Sequence, residues 1–216
     1  MERLDVFNLL NTDIYCKHTY YDEMREKYIK SVYNKEPNIL CIICGCSGSG
    51  KSYFEKKLVT EYSEYFNKLP QITTRKPRGK DDTGYYFVDD SIYEYMKGSL
   101  IAKLDSFNGN QYGTIPVFTK KKINTVIASY DAIEDIFKLI DEEKFYIIPI
   151  LILFDITEGN ITQDGKRNDR NLEFLEKERK ELFNVFEKYR KQCIFSKIYK
   201  YEDYNRFAEV SDIIKI

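Results

Sequence analysis

Apolar positions along this chain follow two rhythms. Ile39-Leu40-Cys41-Ile42-Ile43-Cys44 is an unbroken apolar run rich in β-branched residues, which reads as a strand buried on both faces. A helix-compatible stretch follows at 53–64. Further on, short apolar segments at 85–88, 100–107, 125–129, 150–154 and 194–199 read as strands. Between and after them, 91–97, 131–142, 171–191 and a terminal segment from about Glu202 read as helices. Alternating β and α segments predict an α/β fold, a mainly parallel sheet flanked by helices, with ligands at the carboxyl ends of its strands.

Ahead of the first strand, Tyr20, Met24, Tyr28 and Val32 recur at near-helical spacing within a highly charged stretch. Residues 1–36 therefore read as an N-terminal helical extension, and residues 37–216 as one domain. The extension could pack on that domain or present a dimer or partner surface, and the pattern leaves both open, along with the oligomeric state.

Composition narrows the class. The 216 residues are 43% hydrophobic and 32% charged with a net charge of −1, so no bulk charge draws the chain to nucleic acid or an anionic membrane. The longest apolar run, 145–154, is interrupted by Pro149 and falls short of the roughly 20 residues of a membrane span. The charged N-terminus does not read as a cleavable signal. Five cysteines, an odd number, fit a reduced cytoplasmic protein. Cys41-x-x-Cys44-x-Cys46 invites a metal reading, but it lies along a strand, and His18 is the only histidine. Buried thiols are the expectation.

The first strand runs into Gly45-Cys46-Ser47-Gly48-Ser49-Gly50-Lys51-Ser52, a G-x-x-x-x-G-K-S pattern that opens the next helix. Strand, glycine loop and helix in that order make a phosphate-binding loop. Its backbone N–H groups point inward at phosphates, Lys51 reaches the β- and γ-phosphates of ATP, and the Ser52 hydroxyl holds Mg²⁺.

A second set follows in Thr73-Thr74-Arg75-Lys76-Pro77-Arg78, Gly84-Tyr85-Tyr86-Phe87-Val88 and Asn110-Gln111-Tyr112-Gly113-Thr114. Two arginines three residues apart, stiffened by Pro77, present guanidinium forks suited to a phosphate dianion. Together with the loop, these motifs resemble the guanylate kinase family, in its order, over roughly residues 38–215; Cys46 replaces the proline usual in that family's loop. The resemblance implies a P-loop kinase fold with a monophosphate-binding insertion and a lid, and transfer of the ATP γ-phosphoryl group to a nucleoside monophosphate, with GMP or dGMP first. It implies Tyr85 and Tyr112 as further phosphate contacts, Thr114 near the base, and Tyr201 beside the ATP adenine. It also implies catalytic lid arginines, for which Arg167 and Arg179 are the first candidates and Arg170 the reserve. Asp131 matches the second aspartate of the family's D-x-D and is a candidate for Mg²⁺; Ser129 stands in place of the first. A helix N-cap is the other role open to Asp131.

The base pocket departs from the family. Lys103 stands where a carboxylate reads guanine, and Asp105, on the same face by strand alternation, could restore the acceptor through a two-residue slip. Gln71 replaces a serine, the loop from Arg78 to Tyr85 is shorter, and Lys80 and Asp81 compete for an acidic position. A kinase for a different or modified nucleotide, and a catalytically idle module of the same fold, are therefore the alternatives. An ATPase or a kinase for a non-nucleotide substrate is disfavoured by Tyr85 and Tyr112.

Overall fold

The computed structural model describes residues 37–80, 82–107, 109–142, 145–155 and 172–199, without the side chains of 105–107, 172 and 175. The N-terminal extension, the terminal helix, Asp81, Arg167, Arg170 and Tyr201 lie outside the described residues. In chain order the elements are β1 (Asn38–Gly45), α1 (Lys51–Glu61), β2 (Phe66–Lys68), β3 (Gln71–Thr73), β4 (Tyr86–Phe87), α2 (Asp90–Met96), β5 (Ile101–Phe107), β6 (Asn110–Thr114), β7 (Ile123–Ile127), α3 (Tyr130–Asp141), β8 (Ile147–Phe154), α4 (Leu172–Tyr189) and β9 (Phe195–Tyr199).

Five strands form a parallel sheet in the order β2-β7-β1-β8-β9. The apolar run of β1 lies between β7 and β8, and its side chains alternate between two cores. Ile39, Cys41 and Ile43 pack with Phe54 and Leu58 of α1 and with Phe195 and Tyr199 of β9. Leu40, Ile42 and Cys44 pack with Ile133, Ile136 and Phe137 of α3 and with Leu182, Val185 and Tyr189 of α4. The Phe137 and Tyr189 rings stack at 4.0 Å. Cys41 and Cys44 thus sit in opposite layers as buried thiols, which explains the spacing as strand packing. Among the described residues, no helix is long and apolar enough to cross a membrane.

Strands at 85–88 and 100–107 do not join the parallel sheet, as simple alternation had implied. They form part of a second sheet, β4-β3-β6-β5, in which β3–β6 and β5–β6 are antiparallel. Three of its neighbours in sequence or space, β2, β3 and β6, carry too short or too polar a pattern to read as strands. Ile72, Tyr93 and Leu100 give the second sheet its own small core. The strand expected at 125–129 ends earlier, at Ile127, because Ser129 accepts the Ala132 N–H and starts α3.

One buried ion pair ties α1 to the first sheet. Glu55 is only 1% exposed. Its carboxylate accepts from the Thr125 hydroxyl at 3.0 Å and meets Lys68 Nζ at 2.9 Å.

Candidate active site

The phosphate loop leaves β1 at the carboxyl end of the parallel sheet. Gly45, at φ 146°, lies against β8 so closely that a Cβ would collide with the Phe154 backbone. Cys46 N–H donates to Phe154 O at 2.9 Å, and the Ser49 hydroxyl donates to Cys46 O at 2.7 Å. Ser49 therefore closes the loop with its side chain. Gly50, in the left-handed region, starts α1 without a side-chain cap, and the first turn holds no acidic residue. A helix N-terminus of this kind favours anions. Lys51 Nζ donates to Gly45 O at 2.7 Å and to Cys46 O at 2.6 Å, which keeps its ammonium at the loop. Ser52 is exposed in the first turn beside it.

Two carboxylates missed in the sequence pattern lie beside this loop. Asp155 follows β8, is 3% exposed, and is met by Arg179 Nε at 3.2 Å and Nη2 at 3.4 Å. The Cys46 thiol lies 3.9 Å from the same carboxylate. Burial pushes that thiol up to about 11. Next to Arg179, Glu178 Oε2 accepts the Ser47 N–H at 2.9 Å. A single acid directly after a long apolar strand was the available sign for Asp155.

The acceptor motifs meet on the second sheet. The Thr73 hydroxyl donates to Gln111 O at 2.8 Å, and Gln111 N–H donates to the Thr74 hydroxyl at 3.0 Å. The two threonines of T-T-R-x-P-R thus stitch β3 to β6. Arg75 is buried, with its guanidinium 5.1 Å from the Tyr85 ring centre and 5.0 Å from that of Phe87. Tyr85 and Tyr112 pack edge to face at 5.8 Å. Arg75, Tyr85 and Tyr112 are therefore gathered, whereas the Arg78 side chain is exposed.

Asp82, rather than Lys80, supplies the acid of this loop. Its carboxylate accepts from Arg75 Nη1 at 2.6 Å and Nη2 at 3.0 Å, and from the Arg78 N–H at 2.9 Å. The Arg75 hydrogen bond first, and the Arg78 N–H second, lower its pKa to about 2. The same pairing raises that of Arg75. A carboxylate with a depressed folded pKa stabilises the fold above its unfolded value of 3.8, and that contribution fades as pH falls through about 2. An NMR titration of the Asp82 carboxyl is expected to give a midpoint near that lower value; an ordinary midpoint would mean the fork does not form.

At the expected base pocket, Lys103 follows Ala102, whose φ is 50°, and the β5–β6 register shifts on both sides of Leu104. The β5–β6 pairing is therefore irregular along the stretch that holds Lys103. Asp105 lies in β5, and its side chain is outside the described set. Lys103 Nζ lies 3.7 Å from Asp135 of α3, whose carboxylate also faces the Lys103 N–H at 3.4 Å. Thr114 is buried and accepts from Gln71 Nε2 at 3.3 Å. Asp131 is exposed in the first turn of α3 and does not cap it, because Ser129 does.

Comparison with known proteins places the sequence in a family. A family model described as guanylate kinase matches residues 38–214. A guanylate kinase of Lactobacillus johnsonii is 34% identical over 89 residues, 40% of this chain and 44% of that protein. One from Sus scrofa is 29% identical over 140 residues, 61% of this chain and 70% of that protein. One from Homo sapiens is 38% identical over 80 residues, 35% of this chain and 40% of that protein. The chain thus aligns with less than half the length of two of these three relatives. The crystal structure of guanylate kinase from Anaplasma phagocytophilum aligns with 84% of this chain and 88% of that one, at 14% identity and a TM-score of 0.49. With the family pattern matched from the first core strand almost to the C-terminus, the chain belongs to the guanylate kinase family.

Proposed function

We propose that this protein is a nucleoside monophosphate kinase that transfers the γ-phosphoryl group of ATP to GMP or dGMP. The observation that carries the reading is the Arg75 fork. It already grips two oxygens of one carboxylate, beside Tyr85 and Tyr112, in the geometry that a phosphate monoester requires.

In this reading the donor triphosphate lies along Gly45, Ser47, Gly48, Ser49, Gly50, Lys51 and Ser52, with Tyr201 beside the adenine. Lys51 draws charge off the β- and γ-phosphoryl oxygens as the bond to the leaving oxygen lengthens. Arg179, with Arg167 as the other candidate, supplies further positive charge, and closure over the site keeps water from competing with the acceptor. Ser52 and Asp131 would hold Mg²⁺, which would supply neutralisation of phosphate charge. Arg75, Arg78, Tyr85 and Tyr112 hold the acceptor phosphate, and Thr114 lies toward its base.

The pairing of Lys103 with Asp135 favours a second reading, a kinase for a different or modified nucleotide. An ammonium and a carboxylate side by side offer a donor and an acceptor where the family presents an acceptor alone. An ADP-release assay with ATP and Mg²⁺ across the common ribo- and deoxynucleoside monophosphates decides between the two. Turnover of GMP or dGMP supports the first reading, turnover of another acceptor supports the second, and turnover of none overturns the first and leaves the second only with a modified acceptor.

Replacing Lys103 with Glu together with Asp135→Asn avoids setting two carboxylates face to face. If Lys103 lines the base pocket, that variant is expected to raise the kcat/KM ratio of GMP over other acceptors about tenfold. An unchanged ratio would place Lys103 outside the pocket.

A further inference from the structure

The core-facing stripe of α4 contains Leu182, Val185 and Tyr189, all buried. One turn before Leu182, the same stripe reaches Glu178. A charge at a core-facing helix position is costly unless it finds a partner, and here it finds the phosphate loop, accepting the Ser47 N–H at 2.9 Å. The neighbouring Arg179 fastens the helix there through the buried carboxylate of Asp155, at 3.2 Å.

We propose that Glu178 is a residue of the donor site, one that sets its affinity for ATP. Its carboxylate stands in for a phosphate oxygen while no nucleotide is bound, and the triphosphate must displace it. The inference rests on the proposed ATP site and adds a determinant to it. Two effects act in the same direction. Ser47 N–H is engaged by an internal acceptor, so only the fraction of molecules with Glu178 withdrawn offers the full set of donors. In addition, a carboxylate left near the loop repels an incoming polyanion. Arg179 need not leave with Glu178, because its guanidinium is anchored separately to Asp155.

The test is titration calorimetry of Mg–ATP into the full chain, comparing wild type with Glu178→Gln, Glu178→Ala and Glu176→Gln. Glu176 is exposed on the same helix and controls for the loss of one negative charge. Both Glu178 variants are expected to bind about tenfold more tightly, and the gain is expected to shrink as salt rises. Glu176→Gln is expected to stay within about twofold of wild type. Wild-type binding that is unchanged or weakened in the Glu178 variants overturns the inference while leaving the ATP site intact. Absence of binding in wild type and in both Glu178 variants overturns the ATP site itself, and the inference with it. Thermal melts of each variant distinguish a binding change from loss of fold.

Discussion

Lys51→Ala is expected to lower phosphoryl transfer by about three orders of magnitude, with little change in thermal stability. The side chain is the only one in the loop that brings a full positive charge, and its Nζ sits on Gly45 O and Cys46 O at the mouth of the sheet. No neutral donor replaces a cation where a phosphoryl group departs, because the charge that develops there is spread over several oxygens. The fold should survive, because the loop is closed independently by the Ser49 hydroxyl and by Cys46 N–H on Phe154 O. Steady-state ADP release and a melting curve on the same preparation check both halves. A variant with wild-type turnover would remove Lys51 from the mechanism, and an unfolded one would make it a structural residue.

The largest stability effect is expected at a residue outside the catalytic groups. Lys68→Ala leaves the Glu55 carboxylate buried with the Thr125 hydroxyl as its remaining hydrogen-bond partner among the described residues, and should cost about 3–5 kcal/mol. In a chain of this length that corresponds to a fall in Tm of roughly 10 °C. The double replacement Glu55→Met with Lys68→Met should recover much of the loss, because the cost lies in stranding one charge more than in losing an attraction. Denaturant melts of the single and double variants measure this directly. A single variant as stable as wild type would mean that water reaches Glu55.

What could be read in advance divides by distance along the chain. The phosphate loop is a local object: three glycines, a lysine and a serine at fixed spacing after an apolar run suffice to define it. The helices with a strong apolar stripe, α3 and α4, were likewise legible to within a residue or two. The second sheet was legible only at its edges, 85–88 and 100–107, because β3 is three residues long and β6 is largely polar, and such segments become strands only through partners elsewhere. Glu178 was invisible for the same reason, and Asp155 offered only its place directly after an apolar strand. Each is one acid among many until the fold brings it against a loop more than a hundred residues earlier in the chain. Among the described residues of the Arg78–Tyr85 loop, Asp82 is the acid that meets Arg75, a pairing that spacing alone did not single out. The register shifts on both sides of Leu104, next to Lys103, are likewise nothing that an alternation rule anticipates.

The central place of β1 has a consequence for how the protein comes into being. Both strands that flank it are made much later: β7 begins at Ile123 and β8 at Ile147. The closing contact of the loop comes later still, through a backbone bond to Phe154. Contacts of such long sequence separation form slowly, since a long stretch of chain must be ordered before they repay its entropy. On the ribosome, β1 emerges before both of its partners and waits as an unpaired apolar strand until the second half of the domain arrives. Closure of the glycine loop on the sheet is thus a late step in assembling this domain, and protection of the β1 amides against hydrogen exchange would mark the moment it occurs.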